Sequence, residues 1–159
     1  MTILIENRQK KINIDLHRVR RVLNRILKNL NCADKELSLL FVDDEGIRDI
    51  NRHFLYRDHP TNVISFSMRE GPFGDINPNI LGDIVISLET AFRDAREAAA
   101  PFHEELDFLM IHGLLHLLGY NHEGASEDEV NKMEEKEREL FLPVKDKSAA
   151  TGSKRAVNI

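Results

Sequence analysis

Three histidines, His112, His116 and His122, have the residue type and spacing of metal ligands. His112 and His116 lie four residues apart in an apolar stretch. Four residues turn a helix by about 400°, so both rings share one face, a turn apart. His122 follows six residues after His116, and a continued helix would carry it to the far side. Gly119 stands between them. Glycine takes the left-handed conformation just past a helix end at little cost, so the chain can bend there and return His122 to the other rings. Three neutral imidazoles suit Zn²⁺ among the common metals, although Ni²⁺, Cu²⁺ and Fe²⁺ would also bind. Three protein ligands leave a fourth position for water, the arrangement of catalytic rather than structural zinc sites. Water in that position would have its pKa lowered towards ~7. The remaining histidines, His17, His53, His59 and His103, have no comparable sequence partners and read as surface or hydrogen-bonded residues.

The pattern H-x3-H-x2-G-x2-H matches the metzincin zinc-peptidase ligand set with one departure. Those enzymes carry a glutamate directly after the first histidine as general base. Here that position is Gly113, which has no side chain to move a proton. Peptidase or amidase chemistry is the weaker alternative on that ground. A phosphodiester suits the site better, because charge stabilisation dominates its cleavage. Phosphate also needs a cation, and Arg57 stands at a helix end before the turn containing Pro60. Its planar, permanently charged fork matches a phosphate. The competing use of Arg57 is a salt bridge to Asp58 or another acid.

These residues need elements to hold them. Residues 2–5 read as a strand. From an Asp15 cap, Leu16, Val19, Val22, Leu23, Ile26, Leu27 and Leu30 recur at helical spacing, with Asn31 as a stop. Residues 37–43 form a buried strand, DDEG turns the chain, and a helix follows over 47–56. Residues 62–67 are a second core strand, and a Gly/Pro/Asn-rich loop runs from Glu70 to Asn79. The segment ILGDIVISL is a third, interrupted by Gly82 and Asp83. Helices are predicted over 88–99, 103–118 and 126–141. The last opens on the capping box of Ser126 and Glu129 and is stopped by Pro143. Mixed strands and helices point to α/β or α+β: a small, mostly parallel or mixed sheet with helices packed on it, and the three-histidine site at the end of a core helix. Residues 1–143 form one domain, and 144–159 form a loose tail.

At 159 residues with 42% apolar and 31% charged, the chain can bury a core without staples and is not disordered. The single cysteine, Cys32, excludes an internal disulfide and any paired-cysteine zinc site. The first residues have no stretch of signal-peptide length and no window reaches a membrane span, so a cytoplasmic protein is expected. The absence of tryptophan and the two tyrosines argue against a protein that works mainly by stacking on bases. Residues 1–31 carry a net charge of +6 and residues 123–142 a net of −5. If Arg18, Arg21 and Arg25 contact a polyanion, binding should weaken steeply with salt; otherwise these are solvated helix faces.

Three segments in order, YRDHPTNVISFS, ILGDIVIS and HGLLHLLGYNH, resemble the YbeY family of bacterial endoribonucleases, also called ribosomal RNA maturation factors. The resemblance covers about residues 35–142. It implies an α+β fold with one Zn²⁺ on His112, His116 and His122, and a functional arginine at Arg57. It implies metal-dependent cleavage of single-stranded RNA in maturing the 3′ end of small-subunit ribosomal RNA and in ribosome quality control. The partners would be ribosomal RNA and the ribosome. Asn121 stands where the family most often has Asp, and Asn62 where it has Asp or Asn. A non-catalytic ribosome-assembly factor, with the metal only fastening the last loop, is the other alternative.

Overall fold

Short apolar runs rich in branched side chains become strands here, and the segments with helical spacing become the helices between them. A computed structural model describes residues 2–68, 78–120 and 125–144. The order is β1 (Thr2–Asn7), α1 (Leu16–Asn29), β2 (Glu36–Val42), α2 (Asp44–Leu55), β3 (Val63–Ser67), β4 (Ile80–Ser87), α3 (Leu88–Glu97), α4 (Phe102–Leu117) and α5 (Glu127–Val144). The four strands form one sheet in the order β1-β2-β4-β3. β1 and β2, and β2 and β4, are parallel, whereas β3 runs antiparallel to β4. The sheet is therefore mixed. The expected loop at Glu70–Asn79 lies largely outside the described residues, and so does the chain after 144.

Period-two alternation gives the sheet two faces. Leu37, Leu39 and Phe41 of β2 and Ile84 and Ile86 of β4 join the main core with α1, α3, α4 and α5. Val42, Ile64 and Val85 point the other way and pack with Ile47 of α2 in a smaller cluster. Among the helices, α4 is apolar on nearly every side, and twelve of its sixteen residues are buried. A helix wrapped in this way holds the histidines it carries rigidly. Among the described residues no helix is long and apolar enough to cross a membrane.

Three sequence expectations change in detail. Residues 44–46 are not a turn before α2 but its first turn, because the Asp43 side chain caps it, accepting from the Gly46 N–H at 2.8 Å. β4 is not interrupted at Gly82 and Asp83; it runs through with a one-residue bulge, since Glu36 faces Ile80 while Leu37 faces Gly82. Gly82 has φ +141°, and a Cβ there would lie 2.1 Å from the Phe66 carbonyl oxygen, so only glycine permits this strand. Pro143 does not stop α5 at 141; the helix reaches Val144, with the proline in its last turn. The expected stop at Asn31 is present: Asn31 has φ 57° and its N–H bonds the Lys28 carbonyl.

The basic helix α1 is partly structural. Arg18 forms a two-pronged ion pair with Asp107 of α4, which is 1% exposed. Arg20 donates to the Ile3 carbonyl at 2.7 Å. Arg18 is thus committed inside the fold, while Arg21 and Arg25 are exposed. Burial pushes the Asp107 carboxyl up, and Arg18 pulls it back only in part. An acid raised on folding adds stability fully below its ordinary value near 3.8, and loses that as pH rises through the native value. Arg18→Ala removes the counter-pull. It should cost about 2–4 kcal/mol at pH 7, below the usual figure for a broken buried pair because Arg18 is itself partly exposed. The cost should shrink between pH 7 and pH 4, because a carboxyl raised by burial takes up its proton ahead of an ordinary one. Denaturant unfolding at both pH values checks this; an equal loss at each would remove the ion pair as its cause.

Candidate metal and phosphate site

The helix that carries the histidines ends as its sequence requires. The Gly119 N–H bonds the His116 carbonyl at 3.1 Å, and the Tyr120 N–H bonds the Leu115 carbonyl at 3.0 Å. Gly119 itself has φ +96°. This is a Schellman termination with glycine in the left-handed position, and Tyr120 packs on the core beyond it. His122 and Asn121 lie outside the described residues.

His112 is buried and His116 half-buried. Their Nε2 atoms approach to 3.1 Å. Two imidazoles bound at ~2.0–2.1 Å to one tetrahedral ion have their nitrogens about 3.3 Å apart. The pair therefore stands close to the separation one ion would need, and the donor chemistry fits a borderline-soft divalent cation. On its other side, His112 Nδ1 lies 2.9 Å from Glu137 Oε2 of α5. Phe108 lies nearly parallel to the His112 ring, 6.2 Å between centroids. Among the described residues no three His, Cys, Asp or Glu side chains gather as a complete ligand set.

Gly113 lets this helix lie on the sheet. A Cβ there would meet Ile84 Cγ2 at 2.9 Å, Ser65 Oγ at 3.2 Å and Val63 Cγ2 at 3.3 Å. The position faces β3 and β4, so a carboxylate placed there would be driven into the sheet. Ser65 and Ser67 of β3 donate to the Gly113 and Leu117 carbonyls at 2.9 and 3.2 Å, tying the sheet to the end of α4.

Arg57 and His116 line the same cavity, of about 200 Å³. Asn51, His59, Ser65 and Ser67 also line it. Arg57 is brought there by the end of α2, where Tyr56 adopts the left-handed conformation, φ 59°. The Arg57 N–H reaches the Asn51 carbonyl at 3.3 Å, and the buried Asn51 side chain donates to the His59 carbonyl at 2.9 Å. Downstream, the fully buried Asn62 donates to Asp94 at 3.1 Å, and its carbonyl accepts from the Ser87 N–H at 3.0 Å. Burial raises the Asp94 carboxyl, and the Asn62 amide partly opposes that. An aspartate at 62 would set two carboxyls against each other. Asp58 pairs with Arg48, Nε to Oδ1 at 2.9 Å.

Sequence reading missed His59 as a cavity residue, since nothing local marks it. It also missed Glu137. A signal existed there: Glu137 occupies the inward stripe of α5 between Met133 and Leu140, where an apolar residue is expected.

Fold and site define a four-stranded α+β protein with paired imidazoles, one of them on the wall of an arginine-bearing cavity. Residues 4–145 match the protein-family model for endoribonuclease YbeY. The chain is 56% identical over 142 residues to the endoribonuclease YbeY of Syntrophus aciditrophicus, covering 89% of each chain. It is 53% identical over 144 residues to that of Syntrophotalea carbinolica, covering 91% of this chain and 96% of the relative. The solution structure of TM1509 from Thermotoga maritima superposes with a TM-score of 0.63 at 25% identity, covering 89% of this chain and 88% of that one. The chain belongs to the endoribonuclease YbeY family.

Proposed function

We propose that this endoribonuclease cleaves single-stranded RNA at the cavity shared by Arg57 and His116, with His112, His116 and His122 holding one Zn²⁺. Its work is the maturation of the 3′ end of small-subunit ribosomal RNA and ribosome quality control, in the cytoplasm, with the ribosome as partner. The observation that carries the reading is the convergence of two Nε2 atoms, 3.1 Å apart, with His116 on the wall of the cavity that Arg57 also lines. A bound zinc ion supplies Lewis acidity towards a phosphate oxygen and lowers the pKa of water.

The chain's own residues supply the rest. Arg57 binds the non-bridging oxygens of the scissile phosphate and neutralises charge that grows as phosphorus gains a fifth oxygen. The buried Asn51 and Asn62 fix the loop that presents it. Ser65 and Ser67 spend their hydroxyl protons on α4 carbonyls, so they set the cavity's shape rather than move protons. Attack by the adjacent ribose 2′-OH would leave a cyclic phosphate and attack by water an open one, so the product's end group separates the two.

Metal removal is the direct test. Dialysis against a chelator should lower cleavage of single-stranded RNA at least ~100-fold, and one equivalent of zinc should restore it. Helix content at 25 °C should be retained, because α4 is packed on its own apolar contacts. Undiminished cleavage after metal removal would contradict the proposal. Cleavage lost only together with the fold would instead leave the metal as a fastener. A peptide panel run alongside should show no metal-dependent cleavage.

A further inference from the structure

The chain buries a carboxylate on α5, and a carboxylate there needs a compensating partner. Glu137 is 5% exposed and stands on α5 between the buried Met133 and Leu140. Removing an ionised carboxylate from water costs several kcal/mol unless a partner compensates. Its partner is a ring nitrogen, His112 Nδ1, at 2.9 Å from Oε2. Both side chains are shielded, 2% exposed for His112 and 7% for Glu137. A carboxylate accepts hydrogen bonds, so the Nδ1 opposite it carries the proton. In a neutral imidazole the other nitrogen, Nε2, then holds a lone pair, and that is the atom facing His116 Nε2.

We propose that Glu137 is the positioning residue of the metal centre: its carboxylate takes the Nδ1–H of His112, fixing both tautomer and ring angle so that Nε2 presents its lone pair to the ion. This inference rests on the metal site proposed above and adds a residue from a different helix to it. It also explains why an acid is kept in the inward stripe of α5: its negative charge lies one ring away from the point where a divalent cation would sit. The same contact fastens α5 to α4 at the site.

The test uses the full chain with histidines labelled with ¹⁵N. In the metal-free wild type, long-range proton–nitrogen correlations should show His112 protonated at Nδ1. Glu137→Gln, whose amide oxygen still accepts, should largely keep that tautomer, and Glu137→Ala should give a mixture. Zinc affinity, measured by competition with a chromophoric chelator, should fall about 10–100-fold in Glu137→Ala and less in Glu137→Gln. Melting of the metal-free proteins on the same samples separates lost affinity from lost fold. Should Glu137→Ala fail to fold, Glu137→Asp takes its place: it keeps the charge but withdraws it by one methylene, and should also lose affinity. A folded Glu137→Ala or Glu137→Asp that binds zinc as tightly as wild type, with His112 still protonated at Nδ1, overturns the role of Glu137 alone. A wild type that takes up no zinc overturns the site itself, and the inference with it.

Discussion

His116→Ala should lower cleavage of single-stranded RNA by about 10³-fold or more, equivalent to roughly 4 kcal/mol of transition-state stabilisation. His116 is the better of the two histidines to replace. It is half-buried at the cavity wall, so its loss opens a space towards solvent. His112 is 2% exposed, lies beside Phe108 and is bonded to Glu137, so removing it would disturb the core as well. With one of two converging donors gone, the metal should be held more weakly and the cavity should lose a wall that faces Arg57. Steady-state cleavage at saturating zinc, beside thermal melting, checks the expectation. A folded His116→Ala protein that cleaves within about tenfold of wild type would take His116 out of the site.

Arg57→Ala should lower the rate constant for cleavage by about 10²–10³-fold, the usual cost of losing one preorganised charge or donor at a reacting oxyanion. The effect should fall mainly on kcat, because Arg57 meets charge that develops only as the phosphorus becomes pentacoordinate. Arg57→Lys should recover part of the loss, since an ammonium restores the charge without the two-pronged fit. Arg57 lies on the surface with its neighbouring loop pinned by Asn51 and Asn62, so neither variant should shift melting by more than a few tenths of a kcal/mol. Single-turnover cleavage by the three proteins separates these terms. Equal rates for Arg57→Ala and wild type would remove Arg57 from the chemistry.

Much of this was legible in the residues because it rests on local rules. The helical repeat of Leu16 to Leu30, the Asn31 and Gly119 stops and the Ser126 cap are all set by neighbours a few positions away. The spacing of His112 and His116 is of the same kind. What escaped is what depends on distant partners. Gly82 read as an interruption, because its reason is the Phe66 carbonyl on another strand. Gly113 read as a missing base, whereas it is also a packing contact with Ile84. Arg18 read as a candidate polyanion contact, while Asp107, 89 residues away, holds it. His59 lines the cavity together with Ser65 and Ser67 of β3, company that nothing next to it in sequence names. Glu137 was visible as an acid in an apolar stripe, yet nothing near it in sequence names His112 as its partner.

Imidazoles from α4 and from the bend after it are proposed to hold one ion with a position open to substrate. X-ray absorption at the zinc edge, on protein loaded with one equivalent of zinc, tests it most directly. Three imidazole nitrogens with the remaining coordination supplied by oxygen is the predicted result, and one nitrogen should be lost in His122→Ala. A sulfur ligand, a shell closed by a fourth protein side chain, or a spectrum unchanged in His122→Ala would contradict it.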